Sequence, residues 1–203
     1  MTAAEFTALL VLTTVASFTP GPNNTLSTAL GANSGLKRSL RFVCAVPVGW
    51  GLLFSVCAGG LGAVVVALPS LRISIKLIGV AYLLWLAFKL ASSAALAQAD
   101  ASQLKVTFWQ GVMLQFVNIK AWMLALTVVA GWMAGREDAL LRFAIILPLM
   151  LAFGLVSNLT YALIGSLLRH WLSGPDNSGL RLRWFNRCMA AVLVLTAAWM
   201  STF

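Results

Sequence analysis

The sequence predicts an all-α, polytopic membrane protein of six transmembrane helices, arranged as two inverted three-helix repeats, with the first helix broken at Pro20-Gly21-Pro22. Three observations carry this expectation. The 203-residue chain is 61% hydrophobic and 9% charged, whereas soluble domains hold roughly 45–50% apolar and about 25% charged residues. Its apolar residues gather into six stretches near the ~20 residues a membrane helix requires. Finally, residues 6–36 carry no charge, yet they contain Thr19-Pro20-Gly21-Pro22-Asn23-Asn24, a run that must interrupt a helix.

The first span covers residues 6–32. Pro22 lacks a backbone N–H, and Pro20 disfavours helix at Thr19, so the helix stops and restarts here. Broken backbone survives in a bilayer only where it is buried in protein or lines a watery cavity, and transporters hold substrates at such breaks. The start, Met1-Thr2-Ala3-Ala4-Glu5, has no lysine or arginine, which argues against a cleaved signal peptide. The second span, residues 42–68, and the third, residues 73–91, follow after short connections. Lys76 and Lys89 bracket the third, placed to snorkel to the two interfaces. Residues 108–133 form the fourth span and 143–168 the fifth. Residues 184–203 form a short sixth. No room is left for a separate soluble domain, so residues 1–203 form one unit: repeat 1 at about 1–91, a linker at about 92–107 and repeat 2 at about 108–203.

The two halves of the sequence look related. Phe18-Thr19-Pro20-Gly21-Pro22-Asn23 precedes Arg41-Phe42 in one half, and Phe116-Val117-Asn118-Ile119-Lys120-Ala121 precedes Arg142-Phe143 in the other. A three-helix unit repeated once is necessarily inverted in the membrane.

The net charge of +9 is an orientation signal. Loops 1–2, 3–4 and 5–6 hold Lys37, Arg38, Arg41, Lys89, Lys105, Arg169, Arg181, Arg183 and Arg187. The opposite side holds Arg72, Lys76, Arg136 and Arg142, diluted by Glu5, Glu137 and Asp138. Basic excess marks the cytoplasmic face, so both termini are expected outside, with the basic side meeting anionic lipid. No basic stripe with interleaved aromatics occurs, and no nucleic-acid partner is expected. Cys44, Cys57 and Cys188 lack CxxC spacing and read as small apolar residues, so no metal, cofactor or thiol redox chemistry is expected.

Lys120 is the second anomaly. It is the thirteenth residue of the fourth span, where an ionised lysine costs at least about 2.5–3.5 kcal/mol. A charge kept at that cost faces a cavity or a partner. Gln115 and Asn118 precede it, and Asn158 interrupts the fifth span. The half-helix after Pro22 directs unpaired N–H groups, with their partial positive charge, into the same region; Asn23 or Asn24 is placed to cap it. An amino acid's carboxylate fits these N–H groups or Lys120. The candidate substrate-binding set is Pro20, Gly21, Pro22, Asn23, Asn24, Gln115, Asn118, Lys120, Asn158 and Tyr82. With no Asp or Glu inside a span, a protein-borne proton would travel on Lys120, Tyr82 or Tyr161. Gly49, Gly51, Gly59, Gly60, Gly62 and Gly79 read as packing residues that bring helices close and permit a homodimer. Trp50 and Trp122 read as core or interface aromatics.

These residues resemble the LysE/RhtB superfamily of bacterial amino-acid exporters over essentially the whole chain. Thr19-Pro20-Gly21-Pro22-Asn23 is similar to its first-helix T-P-G-P-N signature, Gly79-Val80-Ala81-Tyr82 to its third-helix G-A-A-Y, and Asn118-Ile119-Lys120-Ala121 to its fourth-helix N-P-K-A. Gln115-Phe116-Val117-Asn118-Ile119-Lys120, the doubled Asn23-Asn24 and Phe108-Trp109 resemble the branch that exports cysteine and O-acetylserine. The resemblance implies efflux of small neutral amino acids across the bacterial inner membrane, driven by the proton motive force, and no enzymatic activity. Thiol–disulfide electron carriers of the superfamily place cysteines in the broken helices; this chain has none there. Two departures stand out. Ile119 replaces the usual proline, predicting a fourth helix less broken than the first. Gly49-Trp50 replaces the Gly-Asp of many relatives, removing the obvious proton-carrying carboxylate. A passive facilitator and a non-transporting membrane scaffold are the alternative classes.

Overall fold

The computed structural model describes residues 1–93, 106–174 and 179–202, all helix and short connection, with no strand among them. The helices are α1 (Ala3–Phe18), α2 (Pro22–Ser34), α3 (Leu36–Val56), α4 (Gly62–Ala67), α5 (Pro69–Ser92), α6 (Phe108–Val117), α7 (Ile119–Trp132), α8 (Ala139–Ser173) and α9 (Leu180–Ser201). A π-helical turn, Cys57–Leu61, joins α3 to α4, with Gly60 at a φ of 97°. That left-handed conformation is open to glycine at little cost, and it kinks the second predicted span. The predicted linker lies mostly outside the described residues, as do Lys105 and Phe203.

The exterior is apolar and the interior partly polar. Val11, Val15, Leu77, Phe88, Leu167 and Leu195 are all more than half exposed, while Thr13, Ser27, Gln115, Ser157 and Asn186 are fully buried. Water would reject that distribution; hydrocarbon favours it. Leu36–Ala67, Pro69–Ser92 and Ala139–Ser173 are each long and apolar enough to cross a bilayer, and the bent pairs α1/α2 and α6/α7 raise the number to five. The sixth predicted span falls on α9, which has 22 residues but is not among the helices that meet that standard; Arg181, Arg183 and Arg187 dilute its first turns. The chain is a multi-pass membrane protein.

Thr2 caps α1 and Thr107 caps α6, each in a reciprocal capping box with Glu5 and Gln110, which satisfies two otherwise orphaned donors apiece. The bundle is built around the α2–α8 contact, with α5 on α9 and α3 against α6 and α8. At the α2–α8 crossing a Cβ on Gly31 would strike the Ala162 carbonyl oxygen, and one on Gly165 the Thr28 carbonyl oxygen. Gly49 also lies close on α6, where a Cβ would meet the Val112 carbonyl at 2.6 Å. Of the predicted packing glycines, Gly51, Gly62 and Gly79 also meet a neighbour closely, but Gly59 and Gly60 face open space. Their role is the π turn. Gly31 and Gly165, the tightest pair on α2–α8, were not among those singled out from sequence.

Lys89 lies over the Trp85 ring at 4.2 Å, and Arg181 and Arg187 lie over Trp171 and Trp184 at 5.0 and 5.5 Å. Lys76 donates to the Ser201 carbonyl at 3.2 Å, a cation on the C-terminal turn of α9. The chain's start is held by ion pairs: Glu5 with Arg136 and Arg142, at 3.1 and 3.3 Å, and Asp138 with Arg142 and the Met1 amino group, at 2.7 and 3.8 Å. The hydrogen bond from Arg142, with the Arg142 and N-terminal charges, holds the Asp138 carboxyl below its ordinary value of 3.8. A depressed carboxylate contributes stability above its unfolded value and loses it as pH falls towards the folded one. The melting temperature in detergent should therefore drop as pH is lowered below about 4, and Asp138→Asn should blunt that drop; an unchanged acid profile would remove Asp138 from the explanation.

Candidate functional site

Both helix breaks are real bends, 48° between α1 and α2 and 65° between α6 and α7. The second is the sharper, which corrects the expectation drawn from Ile119. Asn118 does the work assigned to proline: it leaves the helix at φ −92°, ψ 102°, and its side-chain oxygen accepts the Lys120 N–H at 3.1 Å, an N-cap that restarts the helix. Lys120 is thus the second residue of a new helix rather than the middle of a continuous one.

A helix that stops in a membrane leaves its last carbonyls without partners. At the end of α1 side chains from three other helices supply them. The Ser17 carbonyl accepts from Asn24 Nδ2 at 2.9 Å and from Ser157 Oγ at 2.6 Å. The Phe18 carbonyl accepts from the Tyr161 hydroxyl at 2.8 Å. The Thr19 carbonyl accepts from Asn24 Nδ2 at 3.1 Å and from Lys120 Nζ at 2.8 Å. At the second break the Trp122 indole donates to the Phe116 carbonyl at 2.8 Å. The Lys120–Thr19 bond therefore ties one break to the other.

The N-terminus of α2 is different. Gly21 occupies the cap position in extended conformation, and no side chain caps the helix. This corrects the expectation that Asn23 or Asn24 would do so: Asn24 reaches backwards to α1. The N–H groups of Asn23 and Asn24 thus have no acceptor within the helix. A Cβ on Gly21 would meet Lys120 Cδ and Nζ at 3.3 Å, so glycine lets the lysine lie against the start of α2. The ion pairs among the described residues involve Glu5, Asp138, Arg136, Arg142 and the N-terminus; Lys120 takes part in none.

These groups line a cavity of about 70 Å³, where one water needs about 10–15 Å³ on the same measure. The space is that of several waters. Of the predicted residues, Gly21, Pro22, Asn23, Asn24, Asn118, Lys120 and Asn158 line it, joined by Ser17, Val46, Pro47, Trp50, Leu124 and Met150. Gln115 stands beside it in a reciprocal amide pair with Asn23, at 2.9 and 3.1 Å. Asn158 is held by Ser27 Oγ at 2.9 Å and donates to the Gly154 carbonyl at 2.8 Å. Each of these amides keeps spare hydrogen-bonding capacity. Pro20 shapes the break without lining the cavity. Tyr82 is elsewhere, stacked on Trp85 at 5.4 Å and facing a separate apolar groove with Trp109 and Met113. Ser17, Ser157 and Trp50 were missed as site residues; a lone serine or tryptophan in an apolar helix carries no signal of its tertiary partner.

The model of the family of LysE type translocators matches residues 14–202. A cysteine/O-acetylserine efflux protein of Klebsiella pneumoniae subsp. pneumoniae is 32% identical over 197 residues, 97% of each chain. That of Salmonella typhimurium is 32% identical over 172 residues, 83% of this chain and 86% of its own. That of Escherichia coli O1:K1 / APEC is 29% identical over 170 residues, covering 83% and 86%. No solved structure matches. A family match over nearly the whole sequence, on a chain with two bent helices meeting at one cavity, has one reading: the protein belongs to the LysE family of translocators.

Proposed function

We propose that this protein is a secondary active exporter of small neutral amino acids, of the cysteine and O-acetylserine kind, in the bacterial inner membrane. The observation that carries the reading is the Lys120 ammonium. It lies in a cavity against the open N-terminus of α2, bonded to a carbonyl but without a carboxylate partner among the described residues. A cation held half-buried in a membrane helix calls for an anion, and an α-carboxylate supplies one. The carboxylate would bridge Lys120 and the N–H groups of Asn23 and Asn24, where charge and helix dipole both favour it. Asn118, Asn158 and the spare amide capacity of Asn23 would receive the amino group. Gln115 and Asn24 act by positioning. Tyr82 is set aside from the site.

In this reading α9 is the sixth span, the halves are inverted repeats with a bent helix opening each, and both termini face outward. Alternating access follows if the two breaks change angle together, and Lys120–Thr19 is the bond through which they would communicate. A substrate that bound both states equally would shift neither.

Preloaded radiolabelled cysteine, O-acetylserine, leucine, threonine and lysine distinguish the possibilities. Cells expressing the protein should lose cysteine and O-acetylserine against a gradient, and an uncoupler should stop the loss. Downhill loss that ignores the uncoupler would make it a facilitator. Export of leucine or lysine alone would remove the substrate assignment. Loss of none from well-inserted protein would overturn the transport reading.

A further inference from the structure

Helix α1 is held chiefly at its two ends. Of its sixteen residues only Leu9 and Thr13 are buried, whereas α2, with thirteen, buries ten. Between the ends, Thr13 Oγ1 donates to Met150 Sδ at 3.0 Å, and a thioether is a weak acceptor. Val11 and Val15 already face outward. Lipid tails are as apolar as a leucine side chain, so no hydrophobic force keeps Leu9 against the bundle. The polar contacts at the ends decide whether α1 stays in place.

The end at the helix break is a pivot. Its last carbonyls are held by α2, α8 and Lys120, and Thr19-Pro20-Gly21 alone connects α1 to α2. Pro20 supplies no N–H to stiffen that link, and hinges are commonly such element-terminal residues. The other end is a latch. Glu5 pairs with Arg136 at 3.1 Å and with Arg142 at 3.3 Å, and its carbonyl accepts the Trp132 indole N–H at 2.9 Å. Trp132 is the last residue of α7, so the latch joins the half-helix before the first break to the half-helix after the second. Pivot and latch stand about 18 Å apart along α1. Ala16 and Ser17, beside the pivot, line the Lys120 cavity.

Building on the proposed transport reading, we infer that α1 is the gate of the Lys120 cavity and Glu5 its latch: when Glu5 parts from Arg136 and Arg142, α1 turns about Thr19-Pro20-Gly21 and admits water between itself and α8 to the substrate site. Glu5 is thus a positioning residue for export that acts at a distance. The latch is built to release. Glu5 and Arg136 are partly exposed, where ion pairs are weak. Buried Arg142 keeps Asp138 at 2.7 Å when Glu5 leaves, so release strands no buried charge. The contact of the Met1 amino group with Asp138, at 3.8 Å, limits how far one broken pair frees the arm. An occupant of the cavity favours the closed arm, because Ala16 and Ser17 then complete its wall.

The test uses the full chain in liposomes, with Cys44 and Cys188 replaced by serine and Cys57 by alanine. Two single thiols are compared, Thr13→Cys on α1 and Ser39→Cys on α3, both at buried positions. N-ethylmaleimide attacks through the thiolate, which forms only in water, so each rate reports how often local opening wets that position. Glu5→Gln keeps the capping box with Thr2, which glutamine also serves, and removes the ion pairs. It should speed labelling of Thr13→Cys by about threefold to tenfold, the worth of partly exposed ion pairs, and leave Ser39→Cys unchanged. Trp132→Phe should act in the same direction. Glu137→Gln, in the same loop but outside these pairs, should not. Saturating O-acetyl-L-serine should slow labelling of Thr13→Cys. Equal acceleration of both thiols by Glu5→Gln, or acceleration of neither, would overturn the latch. In protein whose exchange of labelled O-acetyl-L-serine depends on Lys120, labelling that ignores this amino acid would overturn the gate and leave the transport reading standing. Absence of such exchange would overturn both.

Discussion

Lys120→Ala is expected to lower export by on the order of a hundredfold or more, to background in cells, while the protein still inserts and folds. The first half follows from removing one partner of a charge pair formed away from bulk water, which costs about 2–5 kcal/mol, tenfold in affinity for each 1.4 kcal/mol. The second half follows from the Thr19 carbonyl, which accepts from Lys120 at 2.8 Å and also from Asn24 at 3.1 Å. Losing the lysine leaves that carbonyl bonded. It also removes the cost of holding a cation in the bilayer. Lys120→Arg should be nearly as inactive, because the side chain lies so close to Gly21 that a Cβ there would already meet it at 3.3 Å, and a guanidinium needs more room than an ammonium. Efflux of preloaded label, normalised to membrane-inserted protein and accompanied by a melting curve, checks both halves. A fully active alanine variant would end the assignment of Lys120 to the substrate.

The shared carbonyl makes a sharper prediction. Asn24→Leu alone leaves Thr19 with Lys120, and Ser17 with Ser157 at 2.6 Å. In the double variant the Thr19 carbonyl keeps neither partner. The double change should therefore cost more than the sum of the singles, by about 1 kcal/mol, the worth of the one hydrogen bond that either side chain alone preserves. Strict additivity in the melting or denaturation cycle would mean the two side chains do not share it.

Where the sequence spoke clearly, it did so through backbone chemistry. Pro20, Gly21 and Pro22 cannot continue a helix, and α1 ends at Phe18 with α2 starting at Pro22. Apolar stretches of membrane length became helices with ends shifted by a few residues, since charged first turns such as Lys37, Arg38 and Arg41 are helical in α3 although hydropathy excludes them. The second break was harder to read, because its cause is a side chain: Asn118 caps α7, and nothing local at Ile119 demands a 65° bend. Lys120 announced itself by the cost of its charge. Its partner did not, because Thr19 is 101 residues away and carbonyl oxygens look alike in sequence. The same holds for Ser157 and Tyr161. Tyr82 entered by motif and left by geometry. Trp50 was legible only as a bulky aromatic; that its N–H lacks an acceptor among the described residues is a property of the assembled bundle.

Gly165→Val should prevent stable folding. At the α2–α8 crossing the atoms nearest a Cβ on Gly165 are backbone: the Thr28 carbonyl oxygen, its carbon at 2.9 Å and the Ala32 nitrogen at 3.0 Å. No rotamer change relieves contact with a backbone, so the helices must separate. Ordinary overpacking costs about 1–3 kcal/mol, and a β-branched side chain against a fixed carbonyl belongs above that range. In lipid the loss is not offset by hydrophobic burial, because helix association rests on packing and on interhelical hydrogen bonds. The same interface carries such bonds, Ser27 to Asn158 at 2.9 Å and Ser157 to Asn24 at 3.3 Å, so separating α2 from α8 also dismantles the cavity wall. Gly31→Val should behave alike, since its Cβ would meet the Ala162 carbonyl from the other side. Gly131 is the control: a Cβ there meets nothing within 4 Å in the helix α7, and Gly131→Ala should stabilise by up to about 1 kcal/mol through helix propensity. Yield of monodisperse protein and melting temperature in detergent measure all three. A Gly165→Val protein that melts with wild type would show that α2 and α8 do not cross at this distance, and the cavity built on that crossing would have to be redrawn.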